Sequence, residues 1–312
     1  MKMMKIRNKI VKFLDYQQDI SKFNIHKETI RALYQYYSDT NVDIGISQEV
    51  GKEDVAVSLT SFGDRINTVH LTIESLMMQT LKPREIVLWL SKDEFKESHL
   101  PRQLLQKRKR GLRIEFCDDL KSYKKLIPYL NAEHAANIIT VDDDIIYPRD
   151  LIENLWKEHV LHPNDIIFNR GHRIQLTPSK EGFMAYQHWP SNCRMTDDSL
   201  MNLPTGVGGV FYPMGSLNES VTDVETFVKL APNADDLWFK AMSLLNHAVS
   251  RQTTFGKDIS SEKDFLWNFV PVEDEQKIDL GASNVTLNRN DEQWHALTER
   301  YGLLDIILEN KL

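Results

Sequence analysis

The hydrophobic pattern of the chain changes near residue 55. Over residues 1–50 apolar side chains recur at helical spacing, and the polar stretch 41–51 interrupts the series. The clearest repeat is Ile30, Leu33, Tyr34 and Tyr37. From Val55 onward, short β-branched runs alternate with amphipathic segments. The pattern predicts an N-terminal helical extension over residues 1–50 and one compact domain over residues 51–312.

Alternating strands and helices predict the architecture of that domain. The predicted strands cover residues 55–60, 85–90, 112–116 and 138–141, with helices over 65–79, 100–110 and 123–130 between them. Such alternation is typical of an α/β fold with a doubly wound, mostly parallel sheet. Later segments predict helices over 151–160, 235–246 and 291–301 and a strand over 165–169, whereas 175–220 is rich in turns and 256–283 is irregular.

Three consecutive carboxylates end the fourth predicted strand. Asp142, Asp143 and Asp144 follow a buried apolar run and precede another, so their mutual repulsion is not relieved by full solvation. In extended backbone Asp142 and Asp144 point the same way and can share one hard divalent cation. The alternative is a solvated acidic loop, but the apolar residues on both sides argue against it.

Several polar segments are expected at one edge of the sheet. The turn 61–65, the pair Asp118-Asp119 and the aspartate triple each follow a predicted strand. In doubly wound sheets ligands bind outside the carboxyl ends of the strands. These segments therefore predict a ligand site at that edge.

Composition excludes several classes of protein. The chain has 312 residues, 41% hydrophobic and 27% charged, which is ordinary for a globular protein with a sizeable core. A formal charge of −7 and the lack of a basic aromatic platform argue against nucleic acid as a partner. The two cysteines, Cys117 and Cys193, predict neither a disulfide framework nor a zinc site, and a cytoplasmic location fits best. No apolar run is long enough to span a membrane.

Residues 1–14 combine five basic side chains with apolar ones. A basic amphipathic helix of this kind could lie on the anionic inner face of the cell membrane. A helix packed on the domain with its lysines in water is the alternative.

An ordered set of motifs resembles bacterial nucleotide-sugar-dependent glycosyltransferases of the GT-A-like class. The matching segments are 57–62 with Arg65, 79–90, 119–125, 140–148, 170–172, 205–213, 235–238 and 290–293. The aspartate triple alone is moderately specific, whereas the ordered set is much more specific. The resemblance covers most of the chain after residue 54 and implies a GT-A-like sheet.

The resemblance also implies roles for named residues. Asp142 and Asp144 would bind Mn²⁺ or Mg²⁺ on the diphosphate of a nucleotide-sugar donor, most simply a UDP-sugar. A divalent ion suits this role because it neutralises the leaving nucleoside diphosphate. The residues placed on the donor side are Thr60, Ser61, Phe62, Arg65, Asp119 and Asp143. Lys124 and Lys125 are candidate phosphate cations, with a solvated helix face as the alternative.

A second acidic pair, Asp235-Asp236, opens a predicted helix. Acidic residues at a helix start are favoured by capping and the helix dipole, so a structural role is a full alternative. The functional interpretation is a general base that deprotonates the acceptor hydroxyl. Asp236 is the first choice and Asp235 the second, and such a base implies inversion. The glycine-rich loop 205–210 lets backbone or sugar approach closely, or is a plain turn.

Two histidines are candidates for a further metal ligand. His295 lies in the part of the chain where the resemblance leads one to expect a histidine, and His172 lies between two arginines. An exposed or hydrogen-bonded histidine is the alternative for both.

The resulting hypothesis is a metal-dependent glycosyltransferase that uses a saccharide or lipid-linked acceptor in bacterial surface polysaccharide synthesis. The alternatives are a sugar-nucleotide nucleotidyltransferase and a non-catalytic member of a polysaccharide assembly complex. A nucleotidyltransferase should carry a glycine-rich basic loop after its first strand, and residues 60–65 are not such a loop. The sequence specifies neither the donor sugar, the acceptor, the linkage nor the oligomeric state.

Overall fold

The structure is a computed structural model that describes residues 2–49, 54–132, 137–256, 262–273 and 289–310. For residues 2–20, 262 and 263 it describes the backbone alone.

Eleven strands occur in the described residues. They are β1 (Val55–Thr60), β2 (Glu85–Ser91), β3 (Leu112–Cys117), β4 (Asn137–Thr140), β5 (Ile145–Ile146), β6 (Ile166–Phe168), β7 (Gly171–Arg173), β8 (Asn202–Pro204), β9 (Val210–Tyr212), β10 (Ser250–Gln252) and β11 (Val270–Pro271). Seven of them form one sheet in the order β10-β6-β9-β4-β1-β2-β3, while β5 pairs with β11 and β7 with β8. Only β9 runs antiparallel to its neighbours in the seven-stranded sheet. The predicted mostly parallel, doubly wound α/β fold is confirmed.

Helices cover both faces of the sheet. The α-helices in the described residues are α1 (Lys2–Thr40), α2 (Val69–Met77), α3 (Arg102–Lys107), α4 (Ile127–Ala132), α5 (Leu151–Leu161), α6 (Val224–Leu230), α7 (Asp235–Leu245), α8 (Glu262–Asn268), α9 (Arg289–Tyr301) and α10 (Leu303–Glu309). None of the helices in these ranges is both long and apolar enough to cross a membrane.

Alternating side chains of the strands build two hydrophobic cores. Ala56 and Val87 face a core that includes α7 and α9, whereas Val57 and Leu88 face a second core that includes α2 and α5. This strict alternation explains why nearly continuous apolar runs form the central strands, since each strand is buried on both faces.

The strand order reverses beside β1. This strand pairs on one side with β2 and on the other with β4, in parallel register from Ala56–Glu85 and from Val55–Asn137. The crevice at such a switch point is where doubly wound sheets bind ligands. Residues that follow β1 and β4 therefore border the expected site.

The N-terminal helix packs on the domain through its C-terminal half. His26 Nε2 lies 3.0 Å from the carbonyl oxygen of Trp267, and Arg31 Nε donates to Pro271 O at 2.8 Å. Farther along the helix, the Ser38 hydroxyl lies 2.8 Å from His70 Nδ1 of α2. The side chains of the basic segment 1–14 lie outside the described residues, so its membrane contact stays a prediction.

Two regions differ from the sequence-based expectation. The stretch 256–283 was expected to be irregular, but it contains α8 and β11, whose apolar residues pack on the domain. In the turn-rich stretch 175–220, β9 fills the gap between β4 and β6. Each of these strands is only two or three residues long, too short to show a period in the sequence.

Candidate active site

The aspartate triple lies immediately after β4, where the backbone is anchored from three sides. Hydrogen bonds hold each of the three residues in place, so the carboxylates project from a fixed frame. The bonds join Asp142 N to Tyr147 OH at 2.9 Å, Thr72 Oγ1 to Asp143 O at 2.9 Å and Val272 N to Asp144 O at 2.7 Å.

Asp143 and Asp144 lie in a turn instead of the extended backbone that the sequence predicted, and the three side chains differ in burial. Asp143 is 5% exposed and points inward, where Ser61 Oγ donates to it at 2.5 Å and Arg65 Nη1 at 2.9 Å. Asp142 and Asp144 are 30% and 37% exposed. Asp143 is thus an internal anchor that ties the end of β4 to the turn after β1, while the outer two carboxylates face the crevice.

Two cations accompany the outer carboxylates. Arg65 Nη1 also lies 2.9 Å from Asp144 Oδ2, and Lys125 Nζ lies 2.9 Å from Asp142 Oδ1. The other oxygen of each outer carboxylate, Asp142 Oδ2 and Asp144 Oδ1, takes no part in these ion pairs. Each outer carboxylate therefore has one oxygen outside these ion pairs.

Lys125 joins the aspartate triple to the second acidic pair. Its side chain is 7% exposed, and Nζ also lies 3.0 Å from Asp235 Oδ2. Burial acts to lower the pKa of Lys125, but the surrounding carboxylates, Asp142 first, hold it well above its usual value. The ammonium group is therefore a buried cation within an acidic cluster, defined here as Asp142, Asp143, Asp144, Asp235 and Asp236.

The two aspartates at the start of α7 have different surroundings. Asp235 is held by the Ser122 hydroxyl at 2.8 Å as well as by Lys125. Asp236 accepts hydrogen bonds from the Gly206 amide, at 3.2 Å to Oδ1 and 3.3 Å to Oδ2. The structure thus separates two residues that the sequence could not distinguish.

Two carboxylates of the acidic cluster have strongly raised pKa values. Burial, followed by the charge of Asp142, raises the pKa of Asp144 to about 7. Burial, followed by the charge of Asp235, raises the pKa of Asp236 to about 7. Perturbed carboxyl groups at the ligand-binding edge of a sheet are typical of functional sites.

The glycine loop between β8 and β9 packs directly on the acidic cluster. A methyl group on Gly206 would collide with Lys125 Nζ and lie 3.0 Å from Asp142 Oδ1. Only a residue without a side chain lets the backbone amide of position 206 reach Asp236 while Lys125 stays in place. The loop that the sequence predicted to permit close approach is therefore part of this site.

The negative charge of the acidic cluster favours a divalent cation, which the two outer carboxylates would hold together with water or phosphate oxygens. In the described part of the chain, four of the five carboxylates form ion pairs with two cations, Arg65 and Lys125, so negative charge exceeds positive charge in these pairs. Carboxylate oxygens are the ligands that Mg²⁺ and Mn²⁺ prefer. A cation would also favour the ionised form of Asp144, whose pKa is raised without one.

The other residues predicted for the donor side line the ends of β1 and β3. The Phe62 ring is half exposed and lies 5.0 Å from the Arg65 guanidinium. Thr60 Oγ1 donates to Trp89 O at 2.9 Å, which makes it part of the framework. Asp119, which is half exposed, accepts from Lys124. These residues border the crevice together with the aspartate triple.

The candidate histidines do not join the carboxylates in a metal cluster. His295 lies on α9, 72% exposed, with Nε2 3.2 Å from Glu299 one turn later. Burial and the charge of Arg170 lower the pKa of His172 to about 4, so this histidine is neutral. No group of three or more histidine, cysteine, aspartate or glutamate side chains suited to a metal occurs among the described residues. Metal binding by His295 stays a prediction.

Sequence reasoning missed two contributors to the site. Ser122 holds Asp235, and Tyr186 lies close enough to Asp236 for its charge to raise the tyrosine pKa further, after burial. Tyr186 packs against His172 at 5.6 Å between ring centroids. Ser122 lies within the matching segment 119–125, but its contact with Asp235 depends on long-range packing, and Tyr186 lies outside the matching segments. Arg173, in contrast, is used within the fold, where it pairs with Asp197 at 2.9 Å.

No protein-family model matches the sequence, and no curated protein matches it either. Solved structures resemble it at low identity. The mannosyltransferase PcManGT from Pyrobaculum calidifontis, in complex with GDP-Man and Mn²⁺, has a TM-score of 0.47 and 13% identity, covering 93% of this chain and 79% of that chain. TarS 1–349 of S. aureus, in complex with UDP, has a TM-score of 0.42 and 12% identity, covering 66% of this chain and 58% of that chain.

Proposed function

We propose that the chain is a metal-dependent glycosyltransferase that moves a sugar from a nucleoside-diphosphate donor to an acceptor hydroxyl. One observation carries the proposal: two acidic segments far apart in sequence meet at the carboxyl edge of the sheet, joined by the buried Lys125. One segment keeps oxygens suited to a cation, and the other contains a carboxyl group whose pKa is raised to about 7. Metal-assisted, inverting sugar transfer from a diphosphate uses both functions.

Asp142 and Asp144 are the proposed ligands of a divalent cation. When bound, Mn²⁺ or Mg²⁺ supplies the positive charge that stabilises the departing nucleoside diphosphate. Arg65, which contacts both Asp143 and Asp144, adds a fixed positive charge at the same edge. Asp143 keeps that arginine in place through its own 2.9 Å bond.

Asp236 is the proposed general base. A carboxylate with a pKa near the working pH accepts a proton efficiently and is still ionised in a useful fraction of molecules. It would take the proton of the acceptor hydroxyl as that oxygen attacks the anomeric carbon. A base opposite the leaving group gives inversion in a single displacement. Asp235 is assigned a positioning role because Ser122 donates to its Oδ1 and the Lys125 ammonium lies 3.0 Å from its Oδ2.

The nucleotide is proposed to bind over the ends of β1 and β3. Phe62 offers an exposed ring face, and Asp119 offers a carboxylate that can accept from a base or ribose. Thr60, Ser61 and Lys124 hold these elements in position through internal bonds. A UDP-sugar is the proposed donor.

The acceptor is proposed to be a saccharide or a lipid-linked saccharide of a bacterial surface polysaccharide. Synthesis would then take place on the cytoplasmic side, with residues 1–14 touching the inner face of the membrane. The motif resemblance and the basic character of that segment support this part of the proposal.

A screen of nucleotide sugars for metal-dependent hydrolysis tests the proposal. The protein is incubated with UDP- and GDP-sugars in Mn²⁺ and, separately, in a chelator, and release of the free nucleoside diphosphate is measured. At least one donor should be hydrolysed in the sample with Mn²⁺ and not in the sample with the chelator. Formation of a nucleotide sugar from UTP and a sugar 1-phosphate, with no donor hydrolysis, would instead identify a nucleotidyltransferase.

A further inference from the structure

Lys125 connects the two halves of the acidic cluster. It closes the turn of residues 121–125 after β3, and its Nζ contacts Asp142 Oδ1 at 2.9 Å and Asp235 Oδ2 at 3.0 Å. The same turn supplies Ser122, whose hydroxyl donates to Asp235 at 2.8 Å. One short segment therefore grips both the end of β4 and the start of α7.

The surroundings of Lys125 leave it little room to move. Its side chain is 7% exposed, and the α-carbon of Gly206 lies so close that an added methyl group would collide with Nζ. An ammonium group buried in this way is stabilised only while its carboxylates stay in contact, and the carboxylates repel each other without it. The bridge thus fixes the separation of Asp142 from the Asp235-Asp236 pair.

We propose that Lys125 is a positioning residue that sets the distance between the donor-binding carboxylates and the general base, and that it does not bind the donor phosphates. This inference rests on the proposed function. It replaces the interpretation of Lys125 as a phosphate cation, because its ammonium group already contacts two carboxylates. A loss of alignment between attacking and leaving atoms of about 1 Å costs roughly a hundredfold in rate.

The two roles predict different results for Lys125→Met. A positioning lysine leaves the affinity for UDP in Mn²⁺ within about tenfold, or tighter because Asp142 loses a competing cation, while turnover falls about a hundredfold. A phosphate-binding lysine would instead lose UDP affinity in step with turnover. Calorimetry with UDP and Mn²⁺, together with hydrolysis of the donor found for the wild type, separates them.

Lys107→Met is the matched control for loss of a buried lysine. Lys107 is 1% exposed and pairs with Glu74, outside the acidic cluster. Both variants should melt at lower temperature than the wild type, but only Lys125→Met should lose turnover per folded molecule. Equal turnover in the two variants would overturn the positioning role.

A double variant covers the case in which Lys125→Met does not fold. Lys125→Met with Asp235→Asn removes one positive and one negative charge, so the net charge of the cluster is kept. Low turnover with retained UDP binding is expected, because Asp142 is no longer tied to α7. Wild-type turnover in the double variant would show that Lys125 only neutralises the charge of the carboxylates, and would overturn the inference. A wild-type protein that neither binds UDP or GDP nor hydrolyses a donor would overturn the proposed function itself.

Discussion

Asp235 and Asp236 are adjacent in sequence, yet their side chains have different partners. Asp235 contacts Ser122 and Lys125, whereas Asp236 accepts only from the backbone amide of Gly206 among the described residues. A carboxylate with a donor or cation beside each oxygen is less available to an acceptor hydroxyl than one that accepts from a single backbone amide. The difference in partners therefore assigns different roles to the two residues.

Replacing each aspartate by asparagine tests this assignment. Asp236→Asn should lower kcat by roughly 10² to 10⁴-fold, the usual contribution of a general base, and leave nucleotide affinity unchanged. Asp235→Asn weakens the tie between Lys125 and α7, so it should lower kcat by about a hundredfold through misalignment, less than the full loss of the base in Asp236→Asn. Steady-state kinetics and calorimetry on both variants make the comparison. A larger loss for Asp235→Asn would exchange the two roles.

The raised pKa of Asp236 predicts a pH dependence. Below about 7 this carboxyl group carries a proton and cannot accept one, so kcat/KM should rise about tenfold per pH unit and level off above that value. The charged groups around it are Asp235, Lys125 and Asp142, while burial keeps Tyr186 and Tyr212 neutral in this range.

Saturating Mn²⁺ distinguishes Asp236 from Asp144, whose pKa is also raised to about 7. A bound cation keeps Asp144 ionised, so an acid limb that persists at high Mn²⁺ belongs to Asp236. A rate that is independent of pH between 5 and about 8 would contradict a base with this pKa.

At the scale of elements, the glycine loop before β9 acts as a fixed wall of the site. Gly206 donates to Asp236 and leaves space for Lys125, and both effects need the backbone to lie close to the acidic cluster. The loop leads directly into β9, the antiparallel strand of the central sheet, so the candidate site is joined to that strand.

Gly206→Ala should disturb the site through steric crowding and not through backbone strain. The added methyl group overpacks a filled space, at a cost of about 1–3 kcal/mol in stability, and displaces Lys125 or Asp236. Turnover should fall about a hundredfold through misalignment. Gly182→Ala is the matched control, because no atom lies within 4 Å of a Cβ at that position and activity should not change. Thermal melts and donor hydrolysis report both effects, and normal turnover in Gly206→Ala would contradict the packing argument.

The elements that the sequence predicted are those whose pattern is local. Strands β1 to β4 and helices α5 and α7 appear where periodicity placed them, because each is buried in a regular way. The helix expected over 65–79 begins with a 3-10 turn at Gly63–Asn67, and its α-helical part is Val69–Met77. Strand β9 and helix α8 could not be predicted from periodicity. Strand β9 has three residues and helix α8 has seven, too few to show a clear period.

The candidate site shows the same division. In this fold class the carboxyl ends of the strands gather at one edge of the sheet. The location of the aspartate triple could therefore be predicted. The bridge from Asp142 through Lys125 to Asp235 could not, because it depends on side-chain packing across 110 residues of sequence, the difference between positions 125 and 235.

At the scale of the whole molecule, the N-terminal helix is attached close to the candidate site. Its residues His26 and Arg31 contact Trp267 and Pro271, and the adjacent Val272 amide binds the carbonyl of Asp144. Residues 267–272 therefore contact both α1 and the aspartate triple. The two-part division of the chain at residue 50 stays a proposal, and these contacts show how closely the parts pack.

Charge removal in the basic segment tests the membrane proposal. Replacing the five basic side chains by glutamine should abolish binding to vesicles that contain anionic lipid, because each contributes about 1 kcal/mol near such a surface. The residues are Lys2, Lys5, Arg7, Lys9 and Lys12. Donor hydrolysis in solution should not change. Vesicle co-sedimentation with neutral lipid is the control, and equal binding of both proteins to anionic vesicles would refute the proposal.

The central claim is that Asp142 and Asp144 bind a cation that in turn binds a nucleoside diphosphate. Calorimetric titration of UDP and of GDP, with Mn²⁺ and with a chelator, tests it most directly. Binding of one nucleotide is expected in Mn²⁺ and not in the chelator, and Asp142→Asn and Asp144→Asn should each weaken it by several kcal/mol, roughly a hundredfold or more. Equal affinity with and without Mn²⁺, or wild-type affinity in both variants, would contradict the account.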